Sequence, residues 1–251
     1  MNRTRSTGTY PIAILLYLFL ITTPSFASVV VYSNLGPGDA YSVNNGWQAA
    51  GYPFGPNETS SNRAYGFTST GNFALDSIEL AVSDISFGVG QPDIDVAIYS
   101  NSEHFTGGRP ESILASATIT TPASTGCTPG TEGCSPFGQS LPPLTTVIFS
   151  EPVLLNQGER YWLGIHPAIP QPTDVVWWWN FLESERESLA WFSGSVDNPD
   201  EALLGNGFQS FTTQIEAAYR VNASPVPVPS SILFLGTAIA GLVGMKIRRK
   251  S

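Results

Sequence analysis

The chain has 251 residues and a formal net charge of −9 at pH 7, with 42% hydrophobic and 12% aromatic residues. Six of its 11 basic residues lie near the two ends, whereas all 20 acidic residues lie between Asp39 and Glu216. The middle therefore carries five arginines, no lysine and a formal charge of −15. This excludes a nucleic-acid binder, which needs a basic face, and the apolar content excludes an intrinsically disordered chain.

Residues 1–27 are typical of a secretory signal peptide. Two arginines form a short basic region, and the apolar stretch of residues 11–21 follows. Ser25 and Ala27 then supply the small residues of a cleavage site. We expect this segment to be removed by the export machinery, so that the mature chain begins near Ser28 outside the cytoplasm; an uncleaved N-terminal anchor is the alternative.

Residues 28–222 are predicted to form one extracytoplasmic all-β domain. Short apolar or alternating runs recur between turns that contain Gly, Pro and Asn, which is the pattern of an antiparallel β-sandwich of jelly-roll-like type. Helical periodicity is nearly absent, and one helical turn is expected at residues 200–204. The predicted strands are residues 28–32, 74–82, 93–99, 113–120, 145–149, 160–165, 174–180, 188–192 and 212–220.

Two of these strands alternate so regularly that the buried face can be predicted. In residues 74–82 we expect one face to carry Ile78, Leu80 and Val82, and in residues 93–99 the inward residues are Ile94, Val96 and Ile98. Period-two alternation of this kind indicates a strand with one buried face.

Several short motifs occur in a fixed order along this middle part of the chain. They are residues 34–41 (NLGPGDAY), 46–47 (GW), 95–99 (DVAIY), 113–116 (ILAS) and 158–163 (GERYWL). Their order resembles the choice-of-anchor R domain, and members of that family often end in a surface-sorting tail. The resemblance implies an extracytoplasmic domain and no activity.

Cys127 and Cys134 enclose a six-residue segment with two glycines and one proline. Outside the cytoplasm, this spacing predicts a disulfide. Free thiols are the alternative, and a metal site is disfavoured because His104 and His166 are distant in sequence.

Trp177, Trp178 and Trp179 are consecutive in a predicted strand, so Trp178 must point away from its two neighbours. Exposed tryptophans would provide a surface for stacking sugar rings, as in carbohydrate-binding modules. The alternative is that the rings are core residues, because aromatic side chains pack well in sheets. We keep the triplet as a candidate ligand-binding site.

Two groups of acidic residues are candidate calcium sites, because calcium takes six to eight oxygen ligands from loops. The groups are Asp93 with Asp95, and Asp197 with Asp200 and Glu201. Neither matches an ion-binding motif, so no metal and no cofactor is predicted.

Catalysis has little support in the sequence. His166 has no nucleophile motif near it, and Glu183, Glu185 and Glu187 have the spacing of a solvated turn. A Ser–His–acid mechanism needs a positioned histidine. The sequence therefore predicts no enzyme, and a glycoside hydrolase is the weakest of the hypotheses.

The C-terminal tail, residues 223–251, contains three consecutive parts. A proline motif at residues 226–231 (Val226, Pro227, Val228, Pro229, Ser230 and Ser231) precedes a Gly- and Ala-rich apolar stretch over residues 232–247, and residues 246–251 are basic. The apolar stretch predicts a short transmembrane helix with its C-terminus in the cytoplasm.

The same three parts resemble the PEP-CTERM sorting signal. This resemblance implies processing near the proline motif by exosortase, a membrane transpeptidase. Family members usually have Glu between the prolines, where this chain has Val228; an ordinary single-pass anchor is the alternative.

Together these features predict an exported, non-enzymatic protein that is sorted to the cell envelope or into extracellular polymer. The alternative function is a carbohydrate-binding module that contacts exopolysaccharide through exposed tryptophans.

Overall fold

The protein is described by a computed structural model. The described residues are 27–51, 60–84, 92–102, 108–123, 126–129, 131, 134, 138, 140, 142–168, 173–182, 185–186, 189–194, 209–211 and 214–226.

The described residues form sixteen β-strands, one short 3-10 helix over Pro37–Asp39 and no α-helix. All strand pairs are antiparallel, which confirms the predicted antiparallel all-β class. In chain order the strands are β1 (Val29–Ser33), β2 (Ser42–Gly51), β3 (Ser60–Thr68), β4 (Phe73–Leu80), β5 (Val82–Asp84), β6 (Asp93–Ser102), β7 (Arg109–Thr120), β8 (Thr145–Val147), β9 (Leu154–Leu155), β10 (Arg160–Pro167), β11 (Thr173–Trp179), β12 (Glu185–Arg186), β13 (Leu189–Gly194), β14 (Gln209–Phe211), β15 (Gln214–Ile215) and β16 (Tyr219–Pro225).

The strands are arranged in four sheets. The largest has six strands in the order β14-β13-β3-β10-β6-β7. A five-stranded sheet has the order β1-β16-β4-β8, with β9 also pairing with β4, and a three-stranded sheet has the order β2-β11-β5. The pair β12-β15 completes the set.

One hydrophobic core joins the three larger sheets, so the arrangement is β-sandwich-like. The six-stranded sheet contributes residues such as Tyr65, Ile98 and Leu163, and the five- and three-stranded sheets contribute residues such as Ile78 and Trp177. These side chains are at most 1% exposed. Because one face of each sheet is buried in this way, the register of the strands is strongly specified.

The prediction for residues 93–99 is confirmed: Ile94, Val96 and Ile98 are 0% exposed and lie in the shared core. Ile78, Leu80 and Val82 also share this core as predicted. Their strand, however, divides at Ala81, whose N–H donates to the Ala218 carbonyl (3.2 Å) and whose carbonyl accepts from the Trp178 N–H (2.8 Å). The chain thereby passes from the five-stranded sheet into the three-stranded one.

Other boundaries differ from the prediction. The single strand expected over residues 212–220 was wrong, since this part of the chain contains β15 and the start of β16 as separate strands. β16 also continues to Pro225, beyond the predicted domain end at residue 222. Neither β2 nor β3 was predicted. The helical turn expected at residues 200–204 lies outside the described residues.

The signal peptide and the apolar stretch of residues 232–247 lie outside the described residues. Within the described residues, no helix has the length and apolar character required to cross a membrane.

Candidate functional site

The tryptophan triplet ends β11 and alternates between the two faces of the three-stranded sheet. Trp177 is 0% exposed and Trp178 is 1% exposed, so these two rings are core residues, as the packing interpretation of the triplet expects. The reason is that both faces of this sheet are covered. One face lies in the shared core, and the other packs against residues that include Tyr41 and Leu144.

The two buried rings also have their polar atoms satisfied. The Trp177 indole N–H donates to the Ala218 carbonyl (3.0 Å), and its ring makes a T-shaped contact with the Tyr65 ring at a centroid distance of 5.0 Å. The Trp178 indole N–H donates to the Ser83 hydroxyl (2.9 Å). Trp177 and Trp178 are therefore core residues and cannot stack on a ligand.

The third ring, Trp179, is only partly buried and lies beside Trp47 of β2. The centroids of the two indoles are 6.3 Å apart, and their planes are inclined by 54°. Five tryptophans have described side chains, and Trp47 and Trp179 are the two of these that reach solvent. The Trp47 N–H is fixed by donation to the Ile215 carbonyl (2.6 Å).

The indole nitrogen of Trp179 is buried and has no hydrogen-bond partner among the described residues. A buried donor without an acceptor costs about 1–3 kcal/mol, because the group has lost its water. Native structures contain few such groups, and each one calls for an explanation. A bound acceptor would remove the cost at Trp179.

Arg63 of β3 completes this group of residues. Its guanidinium carbon lies 5.3 Å from the centroid of the Trp47 ring, within the range of a cation–π interaction. Burial lowers the pKa of Arg63 to about 10, and the nearby Tyr65 partly opposes this change. Arg63 therefore stays protonated at pH 7 but is partly dehydrated. We call Trp47, Arg63 and Trp179 the edge cluster.

The edge cluster combines two partly exposed indole rings with an indole N–H that has no described acceptor and a guanidinium. This combination suits a polar ring that offers an apolar C–H face together with oxygen acceptors. Trp47 and Arg63 could not be selected from the sequence, because the three residues come from separate strands and share no local pattern. Among the sequence motifs, the Gly46-Trp47 pair contains Trp47, but this motif does not indicate a binding role.

The predicted disulfide is confirmed between Cys127 and Cys134, whose Cα atoms are 5.9 Å apart. The Cys127 N–H donates to the Gly138 carbonyl (2.8 Å). The crosslink therefore belongs to a local turn structure in the long connection between β7 and β8.

The acidic pair Asp93 and Asp95 lies on the face of β6 that points away from the shared core. The two carboxylates accept hydrogen bonds from Thr120 and Thr118 of the neighbouring β7. Among the described residues no group of three or more His, Cys, Asp or Glu side chains could hold a metal ion. The other candidate group, Asp197, Asp200 and Glu201, lies outside the described residues.

His166 is 4% exposed on β10, and its Nε2 atom lies 3.9 Å from a carboxylate oxygen of Asp95. The other Asp95 oxygen accepts from Thr118. This places His166 beside a partly exposed carboxylate of the neighbouring strand β6. Glu183, Glu187 and His104 lie outside the described residues, and only the backbone of Glu185 is described.

Glu216 is a buried acid, 1% exposed, that the sequence analysis did not single out. Its carboxylate accepts hydrogen bonds from the phenols of Tyr32 (2.6 Å) and Tyr219 (3.2 Å). Charge-assisted bonds of this kind are stronger than neutral ones. Glu216 therefore links β1 and β16 rather than facing a ligand.

Only the first residue of the predicted sorting motif is described. Val226 directly follows β16 and is 40% exposed, whereas Pro227, Val228, Pro229 and Ser230 lie outside the described residues. No protein-family model matches the chain, and a comparison with curated proteins gives no match either.

Proposed function

We propose that this is an exported, non-enzymatic surface protein whose tail is a PEP-CTERM-like sorting signal. The observation that carries the proposal is the order of features in the tail: a proline motif, the apolar stretch of residues 232–247 and a basic end. The export machinery would take the chain out through its signal peptide, and the tail helix would hold it in the membrane. An exosortase-like transpeptidase would then cut near the proline motif. Neither a cofactor nor a nucleic acid takes part.

The ends of the folded part are consistent with this route. β1 pairs antiparallel with β16, and Val29 lies opposite Ala223. The chain therefore enters and leaves the five-stranded sheet at the same end. β16 stops at Pro225, immediately before the proline motif, and Val226, the first residue of that motif, is 40% exposed.

Two further observations favour an extracytoplasmic location. The Cys127–Cys134 disulfide is of a kind that persists outside the reducing cytoplasm. A middle part with a formal charge of −15 and no lysine suits a soluble domain whose copies repel one another. In this proposal the β-sandwich-like unit, Ser28–Pro225, is a jelly-roll-like domain of choice-of-anchor R type.

The experiment is the intact mass of the protein isolated from its host, combined with cell fractionation. A chain that begins near Ser28 and ends within residues 227–230 is the expected result. A retained tail would indicate an ordinary membrane anchor. A protein that stays in the cytoplasm with residues 1–27 attached would overturn the proposal.

Matched variants of the proline motif refine this test. Pro227→Ala together with Pro229→Ala should leave the tail uncut, because the motif is lost. Val228→Glu restores the residue that is usual in the family, so it should leave cutting intact or increase it. Equal processing of all three chains would contradict recognition through this motif.

A second candidate function is carbohydrate binding, in which the domain contacts extracellular polysaccharide. The partly exposed pair of Trp47 and Trp179 favours it, whereas Trp177 and Trp178 are buried and do not contribute. Sugar binding without hydrolysis separates this candidate from a glycosidase. Release of reducing ends from a polysaccharide by the purified protein would contradict the non-enzymatic assignment.

A further inference from the structure

We infer that the edge cluster of Trp47, Arg63 and Trp179 is a binding site for a neutral sugar ring of an extracellular polysaccharide. The inference rests on the carbohydrate-binding candidate above and is independent of the sorting tail. It assigns the contact to three strands, β2, β3 and β11, instead of to the tryptophan triplet.

The first argument is the selective exposure of the tryptophans. Trp162, Trp177 and Trp178 are at most 1% exposed, whereas Trp47 and Trp179 are partly exposed and adjacent. Indole faces attract the C–H face of a sugar in the same way as they attract other weakly polarised groups. Two inclined faces can hold a ring or two consecutive rings in one orientation.

The second argument is the set of hydrogen-bond donors beside these faces. The Trp179 N–H has no acceptor within the described residues, and the charged Arg63 guanidinium, which has other contacts as well, lies over the Trp47 ring. Sugar hydroxyls and ring oxygens are acceptors. A site made of aromatic faces with a few oriented polar groups is typical of small-ligand recognition.

The third argument is charge, which selects neutral sugars over acidic ones. The domain carries five arginines against 20 acids, and Arg220 is already paired with Asp39 and Glu79. A polyanionic chain would therefore approach a strongly negative surface that repels it. Arg63 alone cannot offset that repulsion along a chain of carboxylates.

The test uses the full chain, purified in a detergent that has no sugar headgroup. It is titrated at low ionic strength with maltohexaose, cellohexaose, mannohexaose and hexagalacturonate, and binding is followed by calorimetry and tryptophan fluorescence. At least one neutral hexasaccharide should bind saturably. Hexagalacturonate should bind at least tenfold more weakly, because its carboxylates are repelled by the acidic surface of the domain.

Two variants of one residue separate stacking from hydrogen bonding. Trp179→Ala removes the ring and should weaken binding by about tenfold. Trp179→Phe keeps an aromatic face and removes only the N–H, so it should weaken binding by about threefold. Trp162→Phe is the matched control, because Trp162 is buried elsewhere, and it should bind as the parent does.

The site is overturned if no neutral hexasaccharide binds, if hexagalacturonate binds as tightly as the best neutral sugar, or if both Trp179 variants bind normally. The circular dichroism of each variant shows whether it is folded, and Trp179→Phe remains decisive if Trp179→Ala is not. A retained tail in the mass experiment would remove the sorting proposal and leave this result unaffected. Absence of sugar binding would remove the proposed binding site and leave the sorting proposal unaffected.

Discussion

The fold contains two places where an arginine lies over a tryptophan, and they differ in how well the tryptophan is enclosed. Arg160 lies 4.7 Å from the Trp162 ring centroid, and Arg63 lies 5.3 Å from that of Trp47. Trp162 is 0% exposed, and its N–H donates to the Asn101 side chain (2.8 Å). The edge cluster instead reaches solvent and contains an indole N–H without a described acceptor.

Small residues make room for the enclosed pair. A Cβ atom at Gly66 would lie 2.7 Å from Arg160 Nε, and one at Gly164 would lie 2.8 Å from Tyr99 Cε2. The glycines of β3 and β10 therefore let Arg160 and Tyr99 lie flat on the sheet. The arginine–tryptophan contact at Trp162 is thus enclosed and its indole N–H is paired, whereas the contact in the edge cluster reaches solvent, where we propose that it recognises a ligand.

The largest effect on stability is expected from alkaline pH, because a buried tyrosine lies near each arginine–tryptophan pair: Tyr99 near Trp162, and Tyr65 near Arg63. Burial raises the pKa of Tyr99 and of Tyr65; Asp95 raises that of Tyr99 further, whereas Arg63 opposes the rise for Tyr65. Unfolded phenols ionise near pH 10, so the stability gained from these groups is complete below about pH 10 and is lost as the pH rises above it. The measurement is the free energy of unfolding in denaturant from about pH 8 to about pH 12.

Phenolate absorbance in the same samples provides the control. If the two tyrosines stay neutral until the chain unfolds, phenolate formation and loss of structure should coincide. Ionisation of all the tyrosines near pH 10 in a chain that remains folded would contradict the burial of Tyr65 and Tyr99.

The next effect compares the two tryptophans directly. Trp162→Ala should lower the free energy of unfolding by about 3–5 kcal/mol, because it leaves a cavity and an unpaired Asn101. Trp47→Ala should cost roughly half as much, since part of its ring already faces water. Equal losses in chemical denaturation would show that the two sites are enclosed to the same degree.

A smaller effect is expected where a glycine makes room for an aromatic ring. Gly164→Ala should destabilise the protein by about 1–3 kcal/mol, because Tyr99 is 1% exposed and has little room to move. Gly126→Ala is the matched control. A Cβ at Gly126 meets no atom within 4 Å, so its change should stay within about 0.5 kcal/mol. A Gly164 variant as stable as the control would mean that the Tyr99 ring can move aside.

Local alternation explains which strands could be predicted. β6 was found with its inward face because Ile94, Val96 and Ile98 are separated by polar or small residues. β3 was missed because its outward positions are Ala64 and Gly66, which read as weak strand residues in the sequence. Their small size makes room for Trp162 and Arg160 of β10, and the local sequence of β3 does not show that β10 is its neighbour.

The site depends even more on distant pairing. Strand alternation correctly predicts that Trp178 points to the opposite face from Trp177 and Trp179. It does not predict that both faces of the sheet are covered, because the covering residues, such as Tyr41, lie elsewhere in the chain. Trp47 and Arg63 join Trp179 only after β2 pairs with β11 and the sheets pack together. A sequence shows that tryptophans are available, whereas the tertiary fold decides which of them reaches solvent.

The smallest change in stability, and the sharpest contrast, is expected from replacing each arginine with methionine. Arg63→Met removes a partly dehydrated charge, which favours folding, and a cation–π contact with Trp47, whose loss opposes it. The free energy of unfolding should therefore stay within about 0.5 kcal/mol of the parent value. Affinity for the neutral hexasaccharide should nevertheless fall by about tenfold, because the guanidinium donors are lost.

Arg160→Met is the matched control for this last contrast, because it removes the same group from above Trp162. It should also leave stability nearly unchanged, since the methionine chain can still cover part of the ring. Its affinity for the hexasaccharide should equal that of the parent. If both variants weaken binding equally, the effect comes from net charge rather than from the edge cluster, and the distinction between the two arginine–tryptophan pairs fails.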